Sequence, residues 1–262
     1  MPNPNLPATF ATDMAMHYDL LLLFFFIAAI YASAGFGGGS SYLAVLALYS
    51  TPMATLRPVA LLCNLVVVSG NLFIFWRKGH LNWRKSMPLV LSGIPFAVWG
   101  GYWKLSEGAF FVLLGSSLIA AALAMWLQRN PSNAAGIEAR ALSGATNAGL
   151  GGGLGFLAGL TGIGGGIFLS PALQLLRWDS PKVIAATASL FIFCQSAAGL
   201  TGQLLRQPAI DWGLVLPLLL AVWVGGQIGV RWSAGKSPQA LVRNLTAALV
   251  FYAGVTILWR YL

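Results

Sequence analysis

Two stretches combine residue types and spacing that could do chemistry: Gly35-Phe36-Gly37-Gly38-Gly39-Ser40-Ser41 and Gly162-Ile163-Gly164-Gly165-Gly166-Ile167. Each lies inside a long apolar run. Glycines in a row interrupt a helix at about 1 kcal/mol each relative to alanine, and in hydrocarbon they also free backbone groups that need partners. Where the helix resumes, its first N–H groups and positive dipole end can hold an anion without a formal charge. The candidate ligands are therefore Gly37, Gly38, Gly39, Ser40 and Ser41 in the first copy, and Gly164, Gly165, Gly166 and Ile167 in the second. Polar side chains follow each break: Asn64, Ser69 and Asn71, then Thr187, Ser189, Gln195 and Ser196. Such groups serve either as interhelical hydrogen-bond partners or as ligands. Asn64, Thr187, Ser189 and Gln195 join the candidate substrate-binding set.

Other chemistries lack their residues. The acids Asp13, Asp19, Glu107, Glu138, Asp179 and Asp211 fall at segment ends or in loops, as do His17 and His80. A buried proton relay needs an intramembrane carboxylate or histidine, so substrate movement is expected to be passive or driven by the membrane potential. A membrane protease needs a Ser-His pair, paired aspartates or HExxH, so no enzyme and no catalytic residue is expected. Neither glycine stretch continues into Gly-Lys-Ser/Thr, which sets nucleotide loops aside. Cys63 and Cys194 sit in mid-segment and read as buried thiols, with no spacing for a disulfide or a metal. Neither metal nor cofactor is expected. Arg57, beside Pro58 at a helix start, reads as a solvated end charge, with attraction of anions into the site as the alternative.

The elements that must position these residues are membrane helices. Of 262 residues 58% are hydrophobic and 8% charged, against roughly 25% charged in a soluble domain. The formal charge of +9 fits basic interhelical loops that orient helices better than it fits nucleic acid. Residues 1–18 carry no Lys or Arg, so no cleavable signal peptide is expected. Apolar segments run Leu20–Ala34, Tyr42–Tyr49, Ala54–Trp76, Met87–Trp103 and Gly108–Leu127, then Leu142–Leu160, Phe168–Leu176, Val183–Leu205, Trp212–Val230 and Ala240–Trp259. Pro52 and Pro181, Gly70 and Gly199, Trp83 and Trp212, and Trp103 and Trp232 are each 129 apart, which marks an internal duplication. Gly151, Gly155 and Gly159, and likewise Gly225 and Gly229, recur every fourth residue, the spacing of closely packed helices.

The expected fold is an all-α polytopic membrane protein. Its parts are an N-terminal tail (1–18), a first transmembrane repeat (19–128), a linker (129–141) and a second repeat (142–262). If the broken segments threaded across, giving four crossings per half, Lys and Arg would divide 8 to 7 between the two sides. If they re-enter, each half has three crossings, the halves are inverted, and one side keeps only Arg57, Lys104, Arg206 and Arg260 against eleven on the other. The positive-inside rule selects the inverted arrangement, with the basic loop 77–85 cytoplasmic; the threaded 4+4 arrangement is the alternative.

A glycine break followed by Leu169, Pro171 and Leu173, and then by Ala185-Ala186-Thr187-Ala188-Ser189-Leu190, resembles the signature of the sulfite exporter TauE/SafE family. The first half, with its own break and the loop Gly79 to Trp83, resembles that family's diverged copy. Ala188 inside the usual Ala-Thr-Ser-Leu element and Ser40-Ser41 opposite Ile167-Phe168 depart from the pattern. The resemblance implies a multi-pass transporter of the bacterial inner membrane, often an exporter, for sulfite, sulfoacetate or a related organosulfonate. An anion channel and a non-transporting membrane scaffold are the alternative functions.

Overall fold

The computed structural model describes residues 18–49, 51–127, 142–205, 210–233 and 239–261, which form ten helices with no strand among them. The N-terminal tail, the linker and Arg206, Lys236 and their neighbours lie outside the described residues. The first half contributes α1 (Tyr18–Ser33), α2 (Gly39–Leu48), α3 (Met53–Arg77), α4 (Trp83–Tyr102) and α5 (Glu107–Leu127). The second contributes α6 (Gly144–Thr161), α7 (Gly166–Leu175), α8 (Pro181–Leu204), α9 (Trp212–Ser233) and α10 (Gln239–Tyr261).

Local sequence sets the ends. The Asn82 side chain accepts the Lys85 N–H at the start of α4, and Ser143 accepts the Thr146 N–H at the start of α6. Pro181 opens α8 in the first turn, where its missing N–H costs nothing. Gly162, in the left-handed region at φ 78°, stops α6 and donates its N–H to Ala158.

By length and composition four stretches can cross a bilayer: Ala54–Arg77, Glu107–Leu127, Pro181–Leu204 and Trp212–Trp232. Outward faces suit lipid. Leu22, Leu23 and Phe26 of α1, Leu91 and Phe96 of α4, and Leu216 and Leu220 of α9 are all exposed.

The halves interlock instead of packing as separate blocks. α1 packs along α9, and α4 packs along α6, so the first helix of each half embraces the fourth of the other. Glycines permit this closeness. A Cβ added at Gly159 would lie 2.0 Å from the Ala97 carbonyl oxygen, and one at Gly229 would lie 2.0 Å from that of Ala29.

Contacts between elements fix directions. Leu61, early in α3, borders Gly199, late in α8, while Phe75 and Ala185 meet across Gly35, so α3 and α8 run antiparallel. Phe111 stacks on Tyr261 and Trp126 meets Phe251, so α5 and α10 are antiparallel as well. Within the first half, α2 doubles back along α1. Tyr31 bonds Ser40 and Ser41, the Phe24 and Tyr42 rings stack at 4.6 Å, and the Tyr49 hydroxyl donates to the Asp19 carboxylate. That last bond, with some burial, pushes Tyr49 up to about 12.

Candidate functional site

The first break is a short non-helical strap. The Gly35 and Phe36 N–H groups close the end of α1 on Ala32 and Tyr31, and Gly38, at φ 87°, starts α2. The second break repeats the design, with Gly162, Gly164 and Gly165 all at positive φ. A side chain at Gly38 or Gly165 would pay a left-handed penalty of about 1–2 kcal/mol and would also meet a ring, that of Tyr42 or Phe191, at 2.8 Å.

Asn64 joins the two straps. It stands near the middle of α3, wholly buried, accepts the Gly39 N–H at 2.9 Å and donates to the Ile163 carbonyl at 2.8 Å. Glycine is required around it: a Cβ at Gly37 would sit 2.3 Å from its oxygen, one at Gly39 2.5 Å from its nitrogen, and one at Gly164 2.8 Å from that nitrogen. Ser196 of α8 closes the same spot, 2.7 Å from where a Gly164 Cβ would be, and its hydroxyl has no hydrogen-bond partner in the protein. The tyrosine hydroxyl of Tyr42, above Gly38, is also unpartnered.

The other candidates divide. Ser189 donates to the Gly35 carbonyl at 2.8 Å, and Asn71 donates to that of Phe36 at 3.3 Å, so the first strap is held on its carbonyl side. Ser40 and Ser41 are engaged by Tyr31 at 3.1 and 2.7 Å. Gly166 and Ile167 open α7 against Ile192 and Ala188 of α8. Thr187 and Gln195 are on a different flank of α8. Thr187 bonds Ser86 and Gln195 donates to the Val90 carbonyl, so both tie α8 to α4 and not to the straps.

Arg57 overturns its expectation as a solvated charge. It is 2% exposed, and its guanidinium donates to the carbonyls of Gly159 at 2.9 Å, Gly100 at 3.1 Å and Gly101 at 3.4 Å, with Trp103 at 3.5 Å. The ends of α4 and α6 leave carbonyls without intrahelical partners, and these draw the cation inward. Its Cβ is 3.2 Å from where a Gly162 Cβ would stand, directly behind the second strap.

Sequence reasoning missed Tyr31, nine and ten residues before the serines it holds, because no helical spacing links groups across a reversal. It weighed Ser196 without choosing it over Gln195, one position away and on another face. Among the described residues no three His, Cys, Asp or Glu gather as metal ligands. The Lys85–Asp179 ion pair, at 2.6 Å, lies at the start of α4, away from the straps.

The straps thus offer amide hydrogens, two unpartnered hydroxyls, those of Ser196 and Tyr42, and a nearby buried cation, a set suited to a small anion. A family profile described as Sulfite exporter TauE/SafE matches residues 20–257. The chain belongs to that family. Among relatives, the probable membrane transporter protein y4hK of Sinorhizobium fredii (strain NBRC 101917 / NGR234) is 31% identical over 92% of this chain and 97% of its own. The probable membrane transporter protein YunE of Bacillus subtilis (strain 168) is 33% identical over 37% of this chain and 35% of its own. A probable membrane transporter protein of Xylella fastidiosa (strain 9a5c) is 26% identical over 86% of this chain and 88% of its own. No solved structure matches the chain. Membership makes it a multi-pass membrane transporter with a small-molecule substrate, as the glycine breaks and the apolar segments had implied.

Proposed function

We propose that the protein exports a small sulfur-containing oxyanion, sulfite or an organosulfonate, across the bacterial inner membrane and holds it where the two straps meet. The observation that carries this is Asn64, which pins the Gly39 N–H to the Ile163 carbonyl beside the unpartnered Ser196 hydroxyl. An arriving oxyanion takes over the Gly39 N–H and the Asn64 amide N–H and gains Ser196 as a third donor. Charge-assisted bonds of this kind are stronger than the neutral ones they replace.

The architecture we assign is two inverted repeats, 19–128 and 142–262, each with three crossings and one re-entrant hairpin. Its support is the return of α2 to Asp19, the antiparallel pairs α3 with α8 and α5 with α10, and the division of Lys and Arg. α4 and α10, of 20 and 23 residues, supply the fifth and sixth crossings, at about 1.5 Å per residue. The 77–85 loop then faces the cytoplasm. Access alternates as one repeat rocks against the other around the straps. An inside-negative potential favours anion exit by about 2.3 kcal/mol per charge per 100 mV, which suffices to drive a monoanion outward.

The test is sulfite efflux from proteoliposomes. Wild-type protein is expected to release sulfite faster under an inside-negative potential, and Asn64→Leu is expected to insert normally yet lose flux. Full flux through Asn64→Leu, or movement of neither sulfite nor sulfoacetate through the wild type, would refute the assignment.

A further inference from the structure

Three helices finish at one end of the bundle: α4 at Tyr102, α6 at Thr161 and α8 at Leu204. Their carbonyl ends alone would make this face repel anions. It carries an open pocket of about 600 Å³ lined by Trp99, Tyr102, Trp103, Lys104 and Leu205. Two cations change its sign. Arg57 takes up carbonyls of Gly100, Gly101, Trp103 and Gly159 from behind the pocket wall, and Lys104 stands in the wall itself.

A chain of packed contacts links the pocket wall to the straps. Trp103 lies against Arg57, Arg57 against Gly162, and the strap then runs through Ile163 to Asn64. From the exposed end inward the layers are therefore aromatic wall, buried cation and anion-receptive amides. The Trp99 and Trp103 rings meet edge to face at 5.3 Å and both pack on Phe156, which fixes a rigid apolar surface beside the ammonium group. The opposite copy differs at matched positions: 129 residues further on stand Ala186 for Arg57, Ile228 for Trp99 and Ser233 for Lys104, while Trp103 is matched by Trp232 and Tyr102 by Arg231.

We propose that this pocket is a vestibular binding site for an organic oxyanion, its sulfonate or sulfinate group on Lys104 and its hydrocarbon part on Trp99 and Trp103, passed between water and the second strap past Arg57. The proposal rests on the anion-transport reading and narrows it to anions with a hydrocarbon part, because a bare inorganic anion would leave the aromatic wall unused. A phospholipid headgroup presents the same oxyanion chemistry, so the test separates the two.

Benzenesulfonate is titrated into the protein in phosphatidylcholine nanodiscs while tryptophan fluorescence is read. A saturable quench is expected, lost when Trp99 and Trp103 are both changed to Phe, and weakened about ten-fold in Lys104→Gln, the effect of losing one charge-assisted hydrogen bond. Lys104 is exposed, so its variants fold. Lys78→Gln, exposed at the far end of α3, should keep the quench. Unchanged affinity in both Lys104→Gln and Lys104→Glu overturns the proposal. So does a quench abolished at every sulfonate concentration once phosphatidylglycerol replaces phosphatidylcholine, which would make the pocket a lipid site. Failure of the underlying reading looks different: the quench survives while the wild type moves neither sulfite nor sulfoacetate.

Discussion

The two glycine breaks share a backbone but not an environment. The first is tied at five points, with the unpartnered Tyr42 hydroxyl above Gly38: Tyr31 holds Ser40 and Ser41, Ser189 and Asn71 hold the Gly35 and Phe36 carbonyls, and Asn64 holds the Gly39 N–H. The second continues into the apolar pair Ile167-Phe168, faces the unpartnered Ser196 hydroxyl, and has Arg57 at its back. In the function proposed above, the first copy acts as a fixed wall and the second receives the anion.

The largest effect that can break this comparison comes from Arg57. Arg57→Leu removes four hydrogen bonds to carbonyls, the two shortest at 2.9 and 3.1 Å, and should destabilise the protein by about 3 kcal/mol or more, seen as a lowered unfolding midpoint in detergent. Its counterpart Ala186, fully buried, when mutated to Val should overpack an apolar contact and disturb nothing electrostatic. An unaltered midpoint in Arg57→Leu would remove the second break's cation from the account. Next come the glycines: Gly38→Ala and Gly165→Ala should each cost about 2 kcal/mol from φ strain and contact together. Equal costs would show that the straps are alike as backbone, and a cost at Gly38 alone would mean that the second strap is soft.

Smaller effects sharpen the difference. Tyr31→Phe removes a hydroxyl shared by two serines and should cost about 1 kcal/mol in stability. Ser196→Ala, which breaks no bond, should leave stability unchanged. The least is a titration. Burial, then Lys182 and Lys78, hold the His80 imidazole below its ordinary value. Because the folded value lies below the unfolded one, the native state loses stability as pH falls through the imidazole range and regains it above. NMR should find the His80 midpoint lowered, and it should rise in Lys182→Gln. A midpoint that ignores Lys182 would separate the 77–85 loop from the α7–α8 loop and so undo their shared face.

Much of the fold was legible because it is written locally. The 129-residue offset aligns Pro52 with Pro181 and Trp103 with Trp232, and hydrophobic runs bounded by Asn82, Ser143 and Pro181 give helices within a few residues of those observed. The family signature at Gly162 to Leu190 identified the class. What resisted reading depends on rotation and on distant partners. Thr187 and Ser189 are two residues apart yet turned by about 200° on a helix, so one meets Ser86 and the other meets Gly35. Arg57 next to a proline looks like an end charge until Gly100 and Gly159, 43 and 102 residues away, bring their carbonyls to it. Duplication also misleads locally: Asn64 falls opposite Phe193 and Ser196 opposite Val67, so the polar groups at the meeting of the straps come from unmatched positions.

The most direct measurement is sulfite counterflow in proteoliposomes carrying Ser196→Ala or Tyr31→Phe, compared side by side at equal protein density. If the second break receives the anion, Ser196→Ala loses about ten-fold in flux, the effect of one hydrogen bond to a charged group, while Tyr31→Phe stays close to wild type. Equal flux through both, or the larger loss in Tyr31→Phe, would contradict it.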